Sequence, residues 1–231
     1  MYKLLDDNKI LVFVGILFIV YIAYSFFKKK KETNNSSTEI TESSENNKNN
    51  ETINTTSILP NPKKRIQNIH NDIKYLSHLT NNLTVDQLNV IKKYNEEPEK
   101  YFIKLCNNKK IEININKLNK LIKYIENISN SIKNKYQIPR PYQLAKKLNI
   151  SINNLATPST YSYPSGKVLK SKLLSHYFSY IDARYDYEFQ QITKDIELAC
   201  LYAGINTPFD VRGSLLLAQK MMGKKVLKKF I

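Results

Sequence analysis

Cysteine is nearly missing from this 231-residue chain: it has only Cys106 and Cys200. Two cysteines make no disulfide framework, so a stapled fold is not indicated and the redox compartment stays open. The three histidines (His70, His78, His176) lack metal-ligand spacing, and no C-x2-C pair, H-E-x-x-H or EF-hand loop occurs. No structural metal and no cofactor is therefore implied. Tryptophan is absent and glycine is down to five residues. Asparagine, lysine and isoleucine are frequent instead, which is the residue usage of an AT-rich coding genome rather than a mark of function. Strand-type alternation is also missing outside the short IEINI segment at residues 111–115, so helices must carry the fold and an all-α domain is expected.

Acidic residues are outnumbered. Lys+Arg of 36 against Asp+Glu of 20 gives a net charge of +16, which favours anionic partners such as phosphate compounds, acidic lipid headgroups or nucleic acid. The charge is spread along the chain rather than gathered into one block, as on a solvated surface in a lysine-biased composition. Nucleic-acid binding has no motif behind it and ranks last. The 42% hydrophobic content is enough for a real core.

What the chain does have falls into three parts. An uncharged run of 18 residues starts at Ile10 and closes at Phe27; at helical rise it spans about 27 Å, close to a bilayer's hydrocarbon core. Tyr21, Tyr24 and Phe27 sit toward its end and Lys28 to Lys31 follow as an anchor. Residues 1–31 thus read as a single-pass membrane anchor with a basic flank. A cleaved signal peptide is the weaker reading, because the run exceeds a usual h-region and Asp6 and Asp7 offset Lys3 and Lys9 ahead of it. Residues 32–59 are rich in Ser, Thr, Asn and Glu and poor in large apolar side chains; they bury too little to offset the entropy of ordering and read as a tether. Residues 60–231 form the expected helical domain.

Helical spacing takes over after Pro60 and Pro62. Ile66, Ile69, Ile73 and Leu76 share one face. Thr84 with Gln87 three residues on predicts a capping box. Pro98 suits the first turn of a helix continuing through Phe102. Residues 111–132 supply a longer helix, with Leu118, Leu121, Ile122, Ile125, Ile128 and Ile132 as its stripe. A short helix is expected over residues 142–147, and Ser165 and Gly166 should open another that reaches Phe178. Further helices are expected over residues 185–203 and from Pro208 to the C-terminus, where the KKVLKKFI end reads as core packing rather than a lipid-binding face.

Three ordered blocks lie inside this domain. Lys133 is followed after six residues by Arg140 and Pro141; Pro164-Ser165-Gly166-Lys167 comes next; Gly204-Ile205-Asn206-Thr207-Pro208-Phe209-Asp210 closes the set. This layout resembles the acid phosphatases of the type 2 phosphatidic acid phosphatase and vanadium haloperoxidase superfamily, with K-x6-R-P, P-S-G-H and S-R-x5-H-x3-D. The likeness covers roughly residues 60–225. It implies an all-α bundle in which a lysine and two arginines grip phosphate, the serine and glycine of the second block add hydrogen bonds, one histidine attacks phosphorus and the other protonates the leaving group.

Carried over by position, Lys133, Arg140, Ser165 and Gly166 keep phosphate-binding roles. The catalytic positions are altered. Lys167 replaces the acid histidine, Cys200 the second arginine, and Asn206 the nucleophile, while Asp210 is retained without an imidazole to orient. An amide nitrogen has a delocalised lone pair and forms no phospho-enzyme as imidazole does. A lysine with an ordinary pKa near 10.4 is a poor proton donor at neutral pH. Lys167 adds a third cation beside Lys133 and Arg140. With the uncharged run as its anchor, the chain is expected to be a membrane-anchored pseudo-phosphatase with a residual anion pocket, as the resemblance implies for residues 60–225; the alternative is an active acid or lipid phosphatase with a rearranged site. Lysines after the span point the domain to the cytosolic side, whereas the resemblance implies the far side, and the two stand side by side.

Overall fold

The computed structural model describes residues 59, 61, 66–223 and 229–230, within the compact unit Thr52–Ile231. The uncharged run, nearly all of the polar tether and most of the KKVLKKFI end lie outside the described residues. Among the described residues, no helix is long and apolar enough to cross a membrane.

The described part is all-α, with no strand. Its helices are α1 (Ile66–Asn81), α2 (Val85–Lys93), α3 (Pro98–Lys109), α4 (Ile115–Tyr136), α5 (Pro141–Lys147), α6 (Gly166–Ile181), α7 (Asp186–Tyr202) and α8 (Pro208–Gly223), with a 3-10 turn (Ala183–Tyr185) before α7. Local chemistry sets the boundaries. At α2 the Thr84 hydroxyl accepts from the Gln87 amide and the Gln87 side chain accepts from the Thr84 amide, so both free donors are satisfied by one pair. Pro98 occupies the first turn of α3, where its missing N–H costs nothing.

Two boundaries differ from the spacing. α3 runs past Phe102 to Lys109 and closes on Lys110 in the left-handed region (φ 57). That cap turns residues 111–114 into a connector, and α4 starts late, at Ile115, where the Asn114 side chain accepts from the Lys117 amide at 3.0 Å. α4 then continues through Lys133 to Tyr136 and ends on Gln137, also left-handed (φ 51).

α6 is the hub. Val168, Leu169, Leu173, Leu174, Tyr177 and Phe178 are buried, together with Lys170, Ser171 and Ser175, and a helix buried around most of its circumference belongs in the middle of a bundle. It packs against α3, α4, α7 and α8. Phe102 of α3, Phe178 of α6 and Phe189 of α7 stack on one another with ring centroids 5.6 to 6.1 Å apart, a spacing at which aromatic pairs attract. A second cluster unites α2, α6, α7 and α8 through Tyr94, Val168, Ile196, Cys200 and Val211.

Candidate anion-binding cleft

The N-terminus of α6 opens into a cleft of about 320 Å³ with three walls, to which Glu97 of the α2–α3 turn adds a carboxylate. One wall is a stripe of α4: Ile125, Glu126, Ser129, Asn130 and Lys133, the three-and-four spacing that places residues on one helix face. The second is the start of α6, with Gly166, Lys167 and Lys170. The third combines Arg140, Pro158, Thr160, Ile205 and Asn206.

Helix ends deliver that third wall. α7 stops where Gly204 takes φ 67; its amide donates to the Leu201 carbonyl, and the Ile205 amide donates to the Cys200 carbonyl. This is the two-bond cap that a left-handed residue permits. The turn carries Asn206 into the cleft and points the Ile205 carbonyl at Arg140. Next, the Thr207 hydroxyl accepts from the Asp210 amide at 3.2 Å while the Asp210 carboxylate accepts from the Thr207 amide at 2.7 Å. Thr207 and Asp210 therefore form a reciprocal cap at the start of α8. Asp210 also accepts from the Ser162 hydroxyl at 2.5 Å. Burial raises its pKa, outweighing these donors.

Arg140 is a clamp as well as a cation. Its Nε donates to the Thr160 carbonyl at 2.6 Å, one terminal nitrogen to the Ile205 carbonyl at 2.9 Å and the other to the Thr160 hydroxyl at 2.9 Å. Of five guanidinium donors, two remain. Lys133 is only 4% exposed and donates to the Tyr161 carbonyl. Burial, and then the charge of Arg140, pull its pKa down to about 7, which makes its ammonium unusually responsive to an incoming anion.

Lys167 lines the same cleft, but its Nζ donates to the Asn95 and Glu96 carbonyls at 2.9 and 3.0 Å, where it tethers the α2–α3 turn. Ser165 is buried behind Gly166, its hydroxyl donating to the Asn206 Oδ1 at 2.9 Å. The Asn206 amide nitrogen donates to the Ser162 carbonyl at 3.1 Å. Cys200 borders a neighbouring apolar pocket instead, and burial pushes its thiol up to about 11, far from the thiolate needed for attack. His70, His78 and His176 are exposed and none lines the cleft.

Two further residues carry no signal in the motif blocks. Ser129 is buried, and among the described residues its Oγ has no hydrogen-bond partner; it lies 3.3 Å from where a Cβ on Gly166 would stand. Lys170 is buried among Glu97 (2.8 Å), Glu99 (3.3 Å) and Glu126 (2.8 Å). Burial works against its charge, but hydrogen bonds to Glu126 and Glu97 hold its pKa above the ordinary lysine value. Their signal is spacing: Ser129 stands one turn before Lys133 and Lys170 one turn after Gly166.

No protein-family model and no curated protein matches the sequence.

Proposed function

We propose that residues 60–231 form a phosphatase-like module that binds a phosphate-type anion without turning it over, held at a membrane by the uncharged run from Ile10 to Phe27. The observation that supports this reading most is the make-up of the cleft: Lys133, Arg140, Gly166 and Asn206 line one cavity at the start of α6. A helix start offers unpaired amides and a partial positive charge to an anion. Lys133 and Arg140 add donors beside it. No imidazole or thiol joins them, and the residue at the nucleophile position, Asn206, spends both ends of its amide on Ser165 and Ser162. The cleft holds donors for an oxyanion, and among the described residues that line it there is no imidazole or thiol to attack phosphorus.

The test is turnover and binding on the full-length chain in a neutral detergent. Incubation with a generic phosphomonoester should give no hydrolysis and no trapped phospho-enzyme, while calorimetric titration with ethyl phosphate should saturate and weaken in Arg140→Ala. Because Arg140 also clamps Thr160 and Ile205, that variant is checked for folding by circular dichroism. Clear hydrolysis that disappears in Arg140→Ala would establish an active phosphatase with a rearranged site. Absence of any saturable binding would refute the anion pocket.

A further inference from the structure

The cleft is dipolar. α4 and α6 run antiparallel along it: Ser129 and Lys133 face Gly166, whereas Glu126 meets Lys170 at 2.8 Å. Seven residues of α4 separate Lys133 from Glu126, about 10 Å of helix axis. The end at Lys133, Arg140 and the first amides of α6 is cationic. At the other end three carboxylates surround the Lys170 ammonium, and the charges of Lys167 and Lys100 also act on Glu97.

Both ends have unused capacity. At the cationic end the Ser129 Oγ is buried without a partner among the described residues and abuts Gly166; an orphaned buried hydroxyl calls for an acceptor. At the anionic end Lys170 is 5% exposed, but the Glu97 and Glu126 side chains are 54% and 49% exposed, so a second cation has access to them. Among the described residues the lining includes no aromatic ring, which removes the usual means of holding a quaternary ammonium.

We propose that the cleft selects a zwitterionic aminoalkyl phosphate of the ethanolamine-phosphate type, its phosphate held by Lys133, Ser129 and the amides at Gly166, and its primary ammonium on the Glu97 and Glu126 carboxylate oxygens that Lys170 does not take. This rests on the anion-binding reading above and goes further by naming the ligand class. A primary ammonium donates N–H bonds to both carboxylates, which a trimethylammonium lacks the hydrogens to do.

The experiment is a calorimetric titration of the full-length chain in a neutral detergent with four soluble probes: phosphoethanolamine, ethyl phosphate (the same chain without the amine), phosphocholine and glycerophosphoethanolamine. Phosphoethanolamine is expected to bind about 10-fold tighter than ethyl phosphate and phosphocholine, the scale of one charge-assisted contact in a partly desolvated site. Glu97→Gln with Glu126→Gln should abolish that preference, so that phosphoethanolamine and ethyl phosphate bind alike in the variant. Glycerophosphoethanolamine separates the sources: it binds better than phosphoethanolamine if the ligand is a lipid headgroup and worse if it is a free monoester. Equal binding of phosphoethanolamine and ethyl phosphate by the unaltered chain overturns the zwitterion proposal while the anion pocket stands. Binding of neither overturns both.

Discussion

Lys133 is where the chemistry of the cleft can be tested by pH. Its ordinary value is 10.5 and the fold holds it at about 7. Between these values the unfolded chain carries a proton that the folded chain does not, so this group's contribution to stability rises with pH across that window and is lost below it. Urea midpoints should accordingly rise from near pH 6 to near pH 9, and Lys133→Met should flatten that share of the slope. Anion binding runs the opposite way, because an anion favours the protonated ammonium. Sulfate, whose charge is fixed over this range, should bind about 10-fold more weakly near pH 8.5 than near pH 6, as expected when a required proton is lost above about pH 7. A pH-independent sulfate affinity would remove Lys133 from the site. The motif blocks made Lys133, Arg140, Gly166 and Asn206 legible as one group because their order and spacing are written in the chain. Ser129, Glu126 and Lys170 were not legible, since their role depends on which faces α4 and α6 turn to each other. Lys167 shows the same limit: its place in the second block is visible in the sequence, but its hydrogen bonds to Asn95 and Glu96 come from a turn some seventy residues earlier.

At the scale of the elements, two glycines separate packing from binding. A Cβ on Gly213 of α8 would stand 2.4 Å from the Tyr163 ring, and that ring is itself held between Tyr136 and Phe209 at 5.8 and 4.9 Å. With no slack on either side, Gly213→Ala should cost about 2–3 kcal/mol, the upper range for overpacking a filled core. A Cβ on Gly166 meets only the Ser129 Oγ at 3.3 Å and the Lys133 Cε at 3.7 Å. Gly166→Ala should therefore leave the thermal midpoint nearly unchanged while weakening sulfate binding, since the methyl group fills the anion end. A large loss of stability in Gly166→Ala, or none in Gly213→Ala, would contradict this division. Helix existence was readable from the three-and-four spacing and the Thr84 and Pro98 signals. The late start of α4 was not, because isoleucines at 111 and 113 continue the apolar pattern, and only the left-handed cap at Lys110 removes them from the helix.

For the whole molecule, the uncharged run and the polar segment after it lead to one expectation. Deleting residues 1–31 should release a soluble protein that keeps its helical circular dichroism, because the buried clusters are built from residues 59 onward. Pelleting of the truncated chain with membranes after a high-salt wash would point to a second membrane contact. Residues 148–165 form the one long connection without helix among the described residues. Its middle is tied down by the Leu155 amide on the Ala203 carbonyl, the Asn153 amide on the Thr80 hydroxyl and the Ser162 amide on the Ile138 carbonyl; Arg140 grips it at Thr160. In amide hydrogen exchange this stretch should not behave as a surface loop. The Leu155 and Ser162 amides should exchange on the slow timescale of the α7 core, since releasing either means parting segments that α1, α5 and α7 hold in place. Fast exchange at both positions would mean that the stretch bearing Pro158 and Thr160 of the cleft's third wall opens independently of the bundle.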